Sequence, residues 1–432
     1  MGTVVSRPFA GIPLVLGDAT YRPWFLIFLC AGVNGGLWLN FLPLWLTDNL
    51  GASPTQVGWF FSAGFLAAAL GNVTMPPLAE RLGNRRLVAQ AMMLISAPAM
   101  LGLVFANGYW MALISVLPFW FGAAVFSLLI GLAGDTARGR AAAGERDFTG
   151  AVVAALQTGL GLGNAVAPLL GGWIYETTGD LRPVILLGMV PGTLATWLVW
   201  RHVRNAQPGD APHQPDVSHR PRAAPMPALA ASSAQPAGAA PAAASLVRAA
   251  GLALPLFLLA QVLFKLGDSR GAFETLFAAP ELGASRTAVG VLVTLAGGML
   301  LVLTPLAGVL TDRWGPGGVT ALGMALAGMH GLLLVAVTAF WQQLAVLAVL
   351  EAGLAIGTTA PLIYAQRLAP GRAATATGWA NACIFLGLCV GNPLAGRVVE
   401  VAGFRGLFAI SGAVDLLGAG LVMMLVVLGS RR

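Results

Sequence analysis

The chain of 432 residues contains twelve long, mostly apolar runs, and this pattern restricts its possible folds more than any other feature. A helix needs about 20 such residues to cross a bilayer, and only helices and closed barrels satisfy their backbone hydrogen bonds there. The runs cover residues 23–46, 54–79, 86–106, 109–132, 148–172, 181–200, 252–277, 287–310, 318–338, 342–364, 375–398 and 404–428. We therefore expect an all-α membrane protein whose twelve transmembrane helices, called spans 1 to 12, form two groups of six.

The composition agrees with this expectation. Hydrophobic residues make up 57% of the chain and charged residues only 9%, whereas a soluble domain carries about 25% charged residues. Basic residues outnumber acidic ones by 24 to 17, but almost all are arginines scattered in short loops. That distribution is typical of membrane topology signals rather than of a nucleic-acid-binding surface. We expect the lipid bilayer as partner and no nucleic acid.

One long polar segment divides the chain. Residues 201–248 are rich in Pro, Ala and Ser and show no apolar period, which predicts a flexible linker between a first half, 23–200, and a second half, 249–428. Short segments, 1–22 and 429–432, precede and follow the halves. Eighteen of the 24 basic residues lie on the side of the N terminus, so we expect both termini and the linker in the cytoplasm. Arginine-dominated basic usage and richness in Ala and Gly suggest a bacterial inner membrane.

The two halves repeat each other. Residues 50–58 read LGASPTQVG and residues 282–290 read LGASRTAVG, a shift of 232 positions. The same shift carries PPLAERLGNRR, at 76–86, onto GVLTDRWGPGG, at 308–318. NAVAPLLGG, at 164–172, is echoed by VGNPLAG, at 390–396. These matches indicate that a six-helix unit has been duplicated, as in many transporters.

Twelve helices as six plus six, a long central linker, and an acidic, arginine-rich loop after span 2 with a copy after span 8 resemble the major facilitator superfamily. The resemblance implies that polar contacts of this loop hold the cytoplasmic side closed in one state. The residues so implicated as a gate are Glu80, Arg81, Arg85, Asp312 and Arg313. The alternative is that they are solvated topology signals.

Two subfamilies share motifs with this chain. In span 5, Gly163-x-x-x-Ala167-Pro168-x-x-Gly171-Gly172 resembles the Gly-Pro-x-x-Gly-Gly motif of drug/proton antiporters, although plain helix packing explains such residues equally well. TDNLGASPTQVGWFFSAG and its copy, together with the stretch from Pro370 to Glu400, are similar to bacterial sugar-efflux transporters. The chain departs from the antiporters at Pro118, where they carry Arg, and from the sugar exporters at Leu300, where they carry an acid.

Span 7 holds four ionisable residues, Lys265, Asp268, Arg270 and Glu274. A charge at the centre of a span costs roughly 2.5 to 3.5 kcal/mol on insertion scales, so each requires a partner or a function. Lys265 and Asp268 share one helix face, and Arg270 and Glu274 share another. Lys265 is the only lysine of the chain. Because a desolvated lysine can lose its proton whereas arginine stays charged, the Lys265 and Asp268 couple suits proton or anion binding. The alternative is two ion pairs that simply neutralise each other.

Further candidates lie in other spans. The family resemblance implies that spans 1, 4, 7 and 10 line the transport cavity, which makes Glu351 of span 10 the second titratable candidate. Polar side chains that could bind substrate, or hold helices together, are Asn34, Trp38, Asn40, Gln157 and Asn381. Asp415 and His330 belong to helices that are peripheral in that fold, and we expect them to be structural.

The motifs favour one function class. The sequence has no Walker-type loop, no HExxH and no GxSxG, so we expect a transporter driven by an ion gradient, no cofactor, no metal and no enzyme activity. The expected function is proton-coupled export of a small organic solute, sugar-like or drug-like, by alternating access. The alternatives are a proton-coupled importer and, less favoured, a non-transporting receptor or scaffold.

Overall fold

A computed structural model of the chain describes residues 11–142, 149–203, 251–369 and 373–430, and the regular structure in this part is helical. The helices of the first half are Gly11–Gly17, Arg22–Trp38, Leu39–Phe41 (a single 3₁₀ turn), Leu42–Asp48, Pro54–Arg81, Arg85–Val104, Tyr109–Gly122, Val125–Ala142, Thr149–Thr178 and Arg182–His202. Those of the second half are Ala253–Asp268, Gly271–Ala278, Arg286–Trp314, Pro316–Val335, Phe340–Leu368 and Ala373–Ser430.

These helices account for all twelve predicted spans. Ten stretches are long and apolar enough to cross a membrane, and the last of them, Gly378–Leu428, contains spans 11 and 12. The two are separated at Gly403, whose φ of +71° breaks the helix. Span 7 is the remaining one: it is broken into Ala253–Asp268 and Gly271–Ala278, each too short to cross alone. The linker, residues 201–248, lies outside the described residues from 204 onwards.

The sequence pattern did not predict the interruptions within spans 1, 4 and 7. In span 1, the helix ends at Trp38, tightens into a 3₁₀ turn and resumes at Leu42. Pro43 at the start of the resumed helix explains this, because proline lacks the N–H that would continue the hydrogen-bond ladder. In span 7, the break falls beside Asp268, where Ser269, Arg270 and Gly271 follow one another.

The repeated sequences form the same turns in both halves. Ser53 and Ser285 begin spans 2 and 8, and each side chain accepts a hydrogen bond from a backbone N–H of the first helical turn. Gly51 and Gly283, two residues before these serines, have φ of +64° and +65°. Only glycine adopts this left-handed conformation without strain, so the glycine in each LGAS repeat is a geometric requirement.

The apolar core shows which parts of the halves are joined. The side of the bundle where residues 22, 203, 251 and 430 lie is called the termini side, and the opposite side, with residues 48–54 and 278–286, the far side. Towards the far side one core draws on both halves, with Trp38, Phe60, Phe277 and Phe408 among its buried members. Towards the termini side, separate cores lie within the first half and within the second half.

Two helix pairs make most of the contact between the halves: span 2 packs on span 11, and span 5 packs on span 8. Glycines allow this close approach, since a Cβ on Gly58 would clash with the carbonyl oxygen of Asn392 and one on Gly290 with that of Pro168. Ser62 Oγ donates to the carbonyl oxygen of Cys389 at 2.6 Å. The described part of the chain is therefore in a conformation closed at the far side.

Candidate functional site

A cavity of about 310 Å³ lies between the two halves, at the level of the breaks in spans 1 and 7. Its lining comes from five spans of both halves, and Phe61, Phe65 and Trp120 form its aromatic wall. The polar residues are Asn40, Asp268, Ser269, Thr275 and Asn392. The volume is at the lower end of the range for small-molecule sites. A cavity with amide, hydroxyl and carboxylate groups facing aromatic rings can bind a small solute that has both polar and apolar faces.

The Lys265 and Asp268 couple borders this cavity. Lys265 Nζ donates to Asp268 Oδ2 at 2.8 Å, and the two side chains are 13% and 20% exposed. Lys265 Nζ also lies 4.8 Å from the centroid of the Phe264 ring. The sequence spacing predicted a shared helix face, and the contact agrees. Asp268 is the last residue before the helix break, so its position depends on how the two segments of span 7 are arranged.

Arg270 lies on the other face of span 7, away from the cavity, and is 1% exposed. It donates to Asp415 Oδ2 at 2.6 Å and to the carbonyl oxygens of Gly267 and Ala327 at 3.0 and 2.8 Å. Its Nε is 3.6 Å from Glu274 Oε1. The sequence paired Arg270 with Glu274 and placed Asp415 apart as a structural residue. In the structure, Asp415 of span 12 is the direct partner of Arg270. The sequence shows only that each of these two spans carries a residue of opposite charge.

Glu274 extends the buried cluster towards span 9. Its Oε1 lies 3.9 Å from Nδ1 of His330, a distance too long for a hydrogen bond. Gln343 Nε2 donates to the backbone carbonyl of Glu274 at 3.3 Å. Among the described residues, neither Glu274 Oε1 nor either ring nitrogen of His330 has a hydrogen-bond partner. His330 and Gln343 were not predicted as neighbours of span 7, because the sequence does not show which spans pack together.

The other predicted binding residues occupy varied positions. Asn40 lines the cavity, whereas Glu351 is buried within span 10 and is not part of the lining. Trp38 is fully buried, with its Nε1 donating to Asn34 Oδ1 at 3.1 Å. Asn34 instead lines a separate cavity of about 90 Å³ inside the first half, bordered by spans 1, 3, 4 and 6. Gln157 and Asn381 are exposed on spans 5 and 11 and do not line the central cavity.

The predicted gate residues lie at the termini side. Arg85 is 3.6 Å from Glu80 and donates to Asp135 Oδ2 at 2.6 Å, which ties the loop after span 2 to the end of span 4. Arg81 and Arg313 are exposed, and the Asp312 side chain lies outside the described residues. Asp135, which no sequence motif indicated, is thus the partner of Arg85 within the same half.

A second termini-side contact fixes the start of span 1. Arg140 donates to Asp18 Oδ2 at 2.7 Å, and the Thr20 N–H donates to Asp18 Oδ1 at 2.8 Å. Partial burial of Asp18 opposes its ionisation, but these hydrogen bonds hold the pKa of its carboxyl below the usual range. The contacts of Arg85 and those of Asp18 therefore lie inside the first half. Neither set bridges the two halves in this conformation.

Several solved transporter structures have the same architecture as this chain. The chain is similar to the solved structure of a mutant of the nucleoside transporter NupG, with a TM-score of 0.74, 11% identity, and coverage of 94% of this chain and 99% of that one. It is also similar to a D-xylose-proton symporter, with a TM-score of 0.71, 14% identity, and coverage of 94% and 97%.

A third similar structure is a bacterial homolog of the human lysosomal transporter Spinster, in an inward-facing and occupied conformation. It has a TM-score of 0.70, 14% identity, and coverage of 95% and 98%. At these identities the likeness concerns the fold. No curated protein sequence matches the chain significantly. The family model of the Major Facilitator Superfamily matches residues 24–278 and 249–432, and the chain therefore belongs to that family of integral membrane transporters.

Proposed function

We propose that the chain is a proton-coupled transporter that exports a small organic solute, sugar-like or drug-like, from the cytoplasm of a bacterial cell across its inner membrane. The observation that carries the proposal is the Lys265 and Asp268 couple, which borders the cavity between the halves at the break of span 7. A substrate in that cavity and a proton on Asp268 would both weaken the contact between Asp268 and Lys265. Because both act on this contact, solute binding is linked to protonation.

The charge count of the second half supports the proton as coupling ion. In the interior of spans 7 to 12, Lys265 and Arg270 pair with Asp268, Glu274 and Asp415. Glu351 is a fourth buried acid of this half. A buried, unpaired carboxylate is expensive, so four acids against two cations favour the binding of protons by some of the acids. The D-xylose-proton symporter, a protein of the same fold, uses a proton as its coupling ion, which agrees with this proposal.

The cavity supports the substrate class. Asn40, Thr275 and Asn392 supply hydrogen-bonding groups for hydroxyls or amines, and Phe61, Phe65 and Trp120 supply apolar faces on which a ring can lie. Export is preferred because of the span 5 and LGAS motifs. Import by proton symport is the second candidate, favoured by the likeness to the xylose-proton symporter.

The orientation and the gate complete the proposal. With the termini in the cytoplasm, as the arginine distribution favours, the far side is the exterior and the structure is inward-facing. The termini side would then close in the opposite state through the predicted gate. The residues proposed to make those contacts are Glu80, Arg81, Arg85, Asp312 and Arg313.

The decisive experiment measures accumulation in proteoliposomes under imposed pH gradients. A thermal-shift screen of sugars and cationic or aromatic drugs first selects a ligand, since a ligand of the native state raises Tm. An exporter by proton antiport accumulates this ligand inside acid-loaded vesicles, and a symporter accumulates it when the outside is acid. This difference does not depend on how the protein is inserted. Equal ligand levels under both gradients and without one would refute proton coupling, and binding without any flux would favour the receptor alternative.

A further inference from the structure

Two carboxylates cross from one half to the other at the far side. Glu176, in the last turn of span 5, accepts a hydrogen bond from the backbone N–H of Thr287 at 2.9 Å. Glu400, near the end of span 11, accepts one from the backbone N–H of Thr55 at 3.1 Å. Thr55 and Thr287 are the second residues of the helices of spans 2 and 8. Each half therefore places a carboxylate on a helix N-terminus of the other half.

The two contacts are related by the internal repeat. The shift of 232 positions that aligns LGASPTQVG with LGASRTAVG carries Thr55 onto Thr287. Each carboxylate follows a glycine by four residues, one helical turn, in Gly172 to Glu176 and in Gly396 to Glu400. A Cβ on Gly172 would clash with the carbonyl oxygen of Arg286, and one on Gly396 with that of Pro54. The glycine allows the close approach, and the glutamate then reaches the N-terminus.

At both helix N-termini, a backbone N–H without a partner inside the helix is available to the glutamate carboxylate. The first four N–H groups of a helix lack intrahelical partners, and they carry a partial positive charge. Ser53 accepts from the N–H of Gln56 at 3.3 Å, and Ser285 accepts from that of Ala288 at 3.2 Å. The threonine N–H is left for a partner outside the helix. A carboxylate is the preferred partner there, since its charge opposes that of the helix end.

We propose that Glu176 and Glu400 are positioning residues that hold the far side closed: they form a pair of symmetry-related latches, which break when the transporter opens to that side. Both contacts cross the seam between the halves, from span 5 to span 8 and from span 11 to span 2. Glu400 additionally accepts a hydrogen bond from Arg397 within span 11, at 3.1 Å. The first latch is reinforced by Arg286, which donates to Asp48 Oδ2 at 2.8 Å across the halves. In the second copy Pro54 stands at the position of Arg286, and the ion pair has no counterpart there.

This inference rests on the alternating access proposed above, but its test needs neither substrate nor gradient. The reporter is a cysteine at Val289, which is fully buried in the seam, in full-length protein whose Cys30, Cys383 and Cys389 are replaced by alanine. Labelling of this cysteine by a membrane-impermeant maleimide measures far-side opening. The test variants are Glu176→Gln, Glu176→Ala, Glu400→Gln and Glu400→Ala, and the double alanine variant.

We expect each alanine variant to raise the labelling rate about five-fold, which corresponds to about 1 kcal/mol for a carboxylate at an exposed helix N-terminus. The double variant should reach about twenty-five-fold, because the two latches share no partner and independent effects add as free energies. Glutamine should give a smaller rise than alanine, since its amide oxygen still accepts the N–H but lacks the charge. Glu281→Ala is the matched control: Glu281 is exposed on the same side without a side-chain bond to any described residue, and its loss should leave the rate unchanged.

The outcomes separate the possibilities. A double alanine variant that labels within two-fold of the parent overturns the latch proposal, and so does a Glu281→Ala variant that labels as fast as the latch variants. If an alanine variant fails to fold, the isosteric double variant Glu176→Gln with Glu400→Gln replaces it, and labelling at the parent rate overturns the proposal. Failure of the wild type to accumulate solute would contradict the proposed function and leave the labelling result intact.

Discussion

The two ion pairs that residues of span 7 make differ in their surroundings. Lys265 and Asp268 are partly exposed beside the cavity, whereas Arg270 and Asp415 are completely buried between spans 7 and 12. An ion pair that keeps access to water can exchange a proton or a ligand, while a fully enclosed one mainly fixes the packing of its helices. The two pairs therefore call for different experiments.

Replacing both members of the Lys265 and Asp268 couple should distinguish coupling from structure. Asp268→Asn should lose gradient-driven accumulation while retaining solute exchange. Lys265→Ala should be severely impaired, because it leaves a partly buried carboxylate without its cation. The double variant, Lys265→Ala with Asp268→Asn, should fold but not pump. Accumulation assays in proteoliposomes measure this. Full recovery of pumping in the double variant would show that the pair is structural and leave Glu351 as the leading coupling candidate.

Asp415→Asn should destabilise the protein by about 3 to 5 kcal/mol, since it removes the carboxylate that contacts the buried Arg270 guanidinium at 2.6 Å and leaves Glu274 at 3.6 Å. The loss should appear as a lower Tm and faster aggregation in detergent. Asp48→Asn is a suitable control, because Asp48 and Arg286 are 40% and 42% exposed and such pairs contribute at most about 1 kcal/mol. Equal stability losses in the two variants would contradict a structural role specific to Asp415.

Sequence reasoning succeeded for these residues where partners are neighbours on one helix and failed where they are not. The spacing of three between Lys265 and Asp268 determines their contact almost alone. Arg270 and Asp415 are 145 positions apart, and a single sequence contains no signal for which spans pack together. For the same reason Asp135 was not identified as the partner of Arg85, nor His330 as the neighbour of Glu274.

At the scale of elements, the glycine motif of span 5 has a packing function. A Cβ on Gly163 would lie 2.5 Å from the carbonyl oxygen of Leu29, and one on Gly171 would clash with that of Leu37, both on span 1. Gly172 faces span 8 of the other half instead. The motif that resembled drug/proton antiporters thus brings span 5 against two different helices at once.

Gly171→Ala should therefore lower the stability by about 1 to 3 kcal/mol, the usual cost of overpacking, despite the better helix propensity of alanine. Gly131→Ala is the matched control, because no atom lies within 4 Å of a Cβ at that position in span 4. It should be neutral or slightly stabilising. Thermal unfolding in detergent compares the two, and a Gly171→Ala variant as stable as Gly131→Ala would show that spans 1 and 5 can separate at little cost.

The pattern of apolar runs predicted the existence of all twelve spans but not their internal breaks. Hydropathy averages over about 20 residues and is insensitive to one turn of altered geometry. The breaks at Leu39–Phe41 and after Asp268 lie at the cavity, where a polar side chain and an irregular backbone face solvent or substrate instead of lipid. The simple helical prediction is thus incomplete at the breaks that border the cavity.

At the scale of the whole molecule, the distribution of the core explains how the halves can move. One core shared by both halves closes the far side, and a separate core supports each half at the termini side. Each half can therefore rotate as a unit while its own core stays intact. The repeat predicted such a two-part architecture, but the conformation in which the halves meet depends on free-energy differences that motifs do not reveal.

The arginine distribution makes a whole-molecule prediction about sidedness. A reporter that is active only in the cytoplasm should be active when inserted near Gln235 of the linker, and inactive when inserted at Asn107, between spans 3 and 4 on the far side. Eighteen basic residues on the termini side against four on the other should fix this orientation during insertion. A pair of reporters with opposite requirements for the compartment provides the control. Activity at Asn107 with silence near Gln235 would invert the orientation, make the structure outward-facing, and place the Glu176 and Glu400 contacts on the cytoplasmic side.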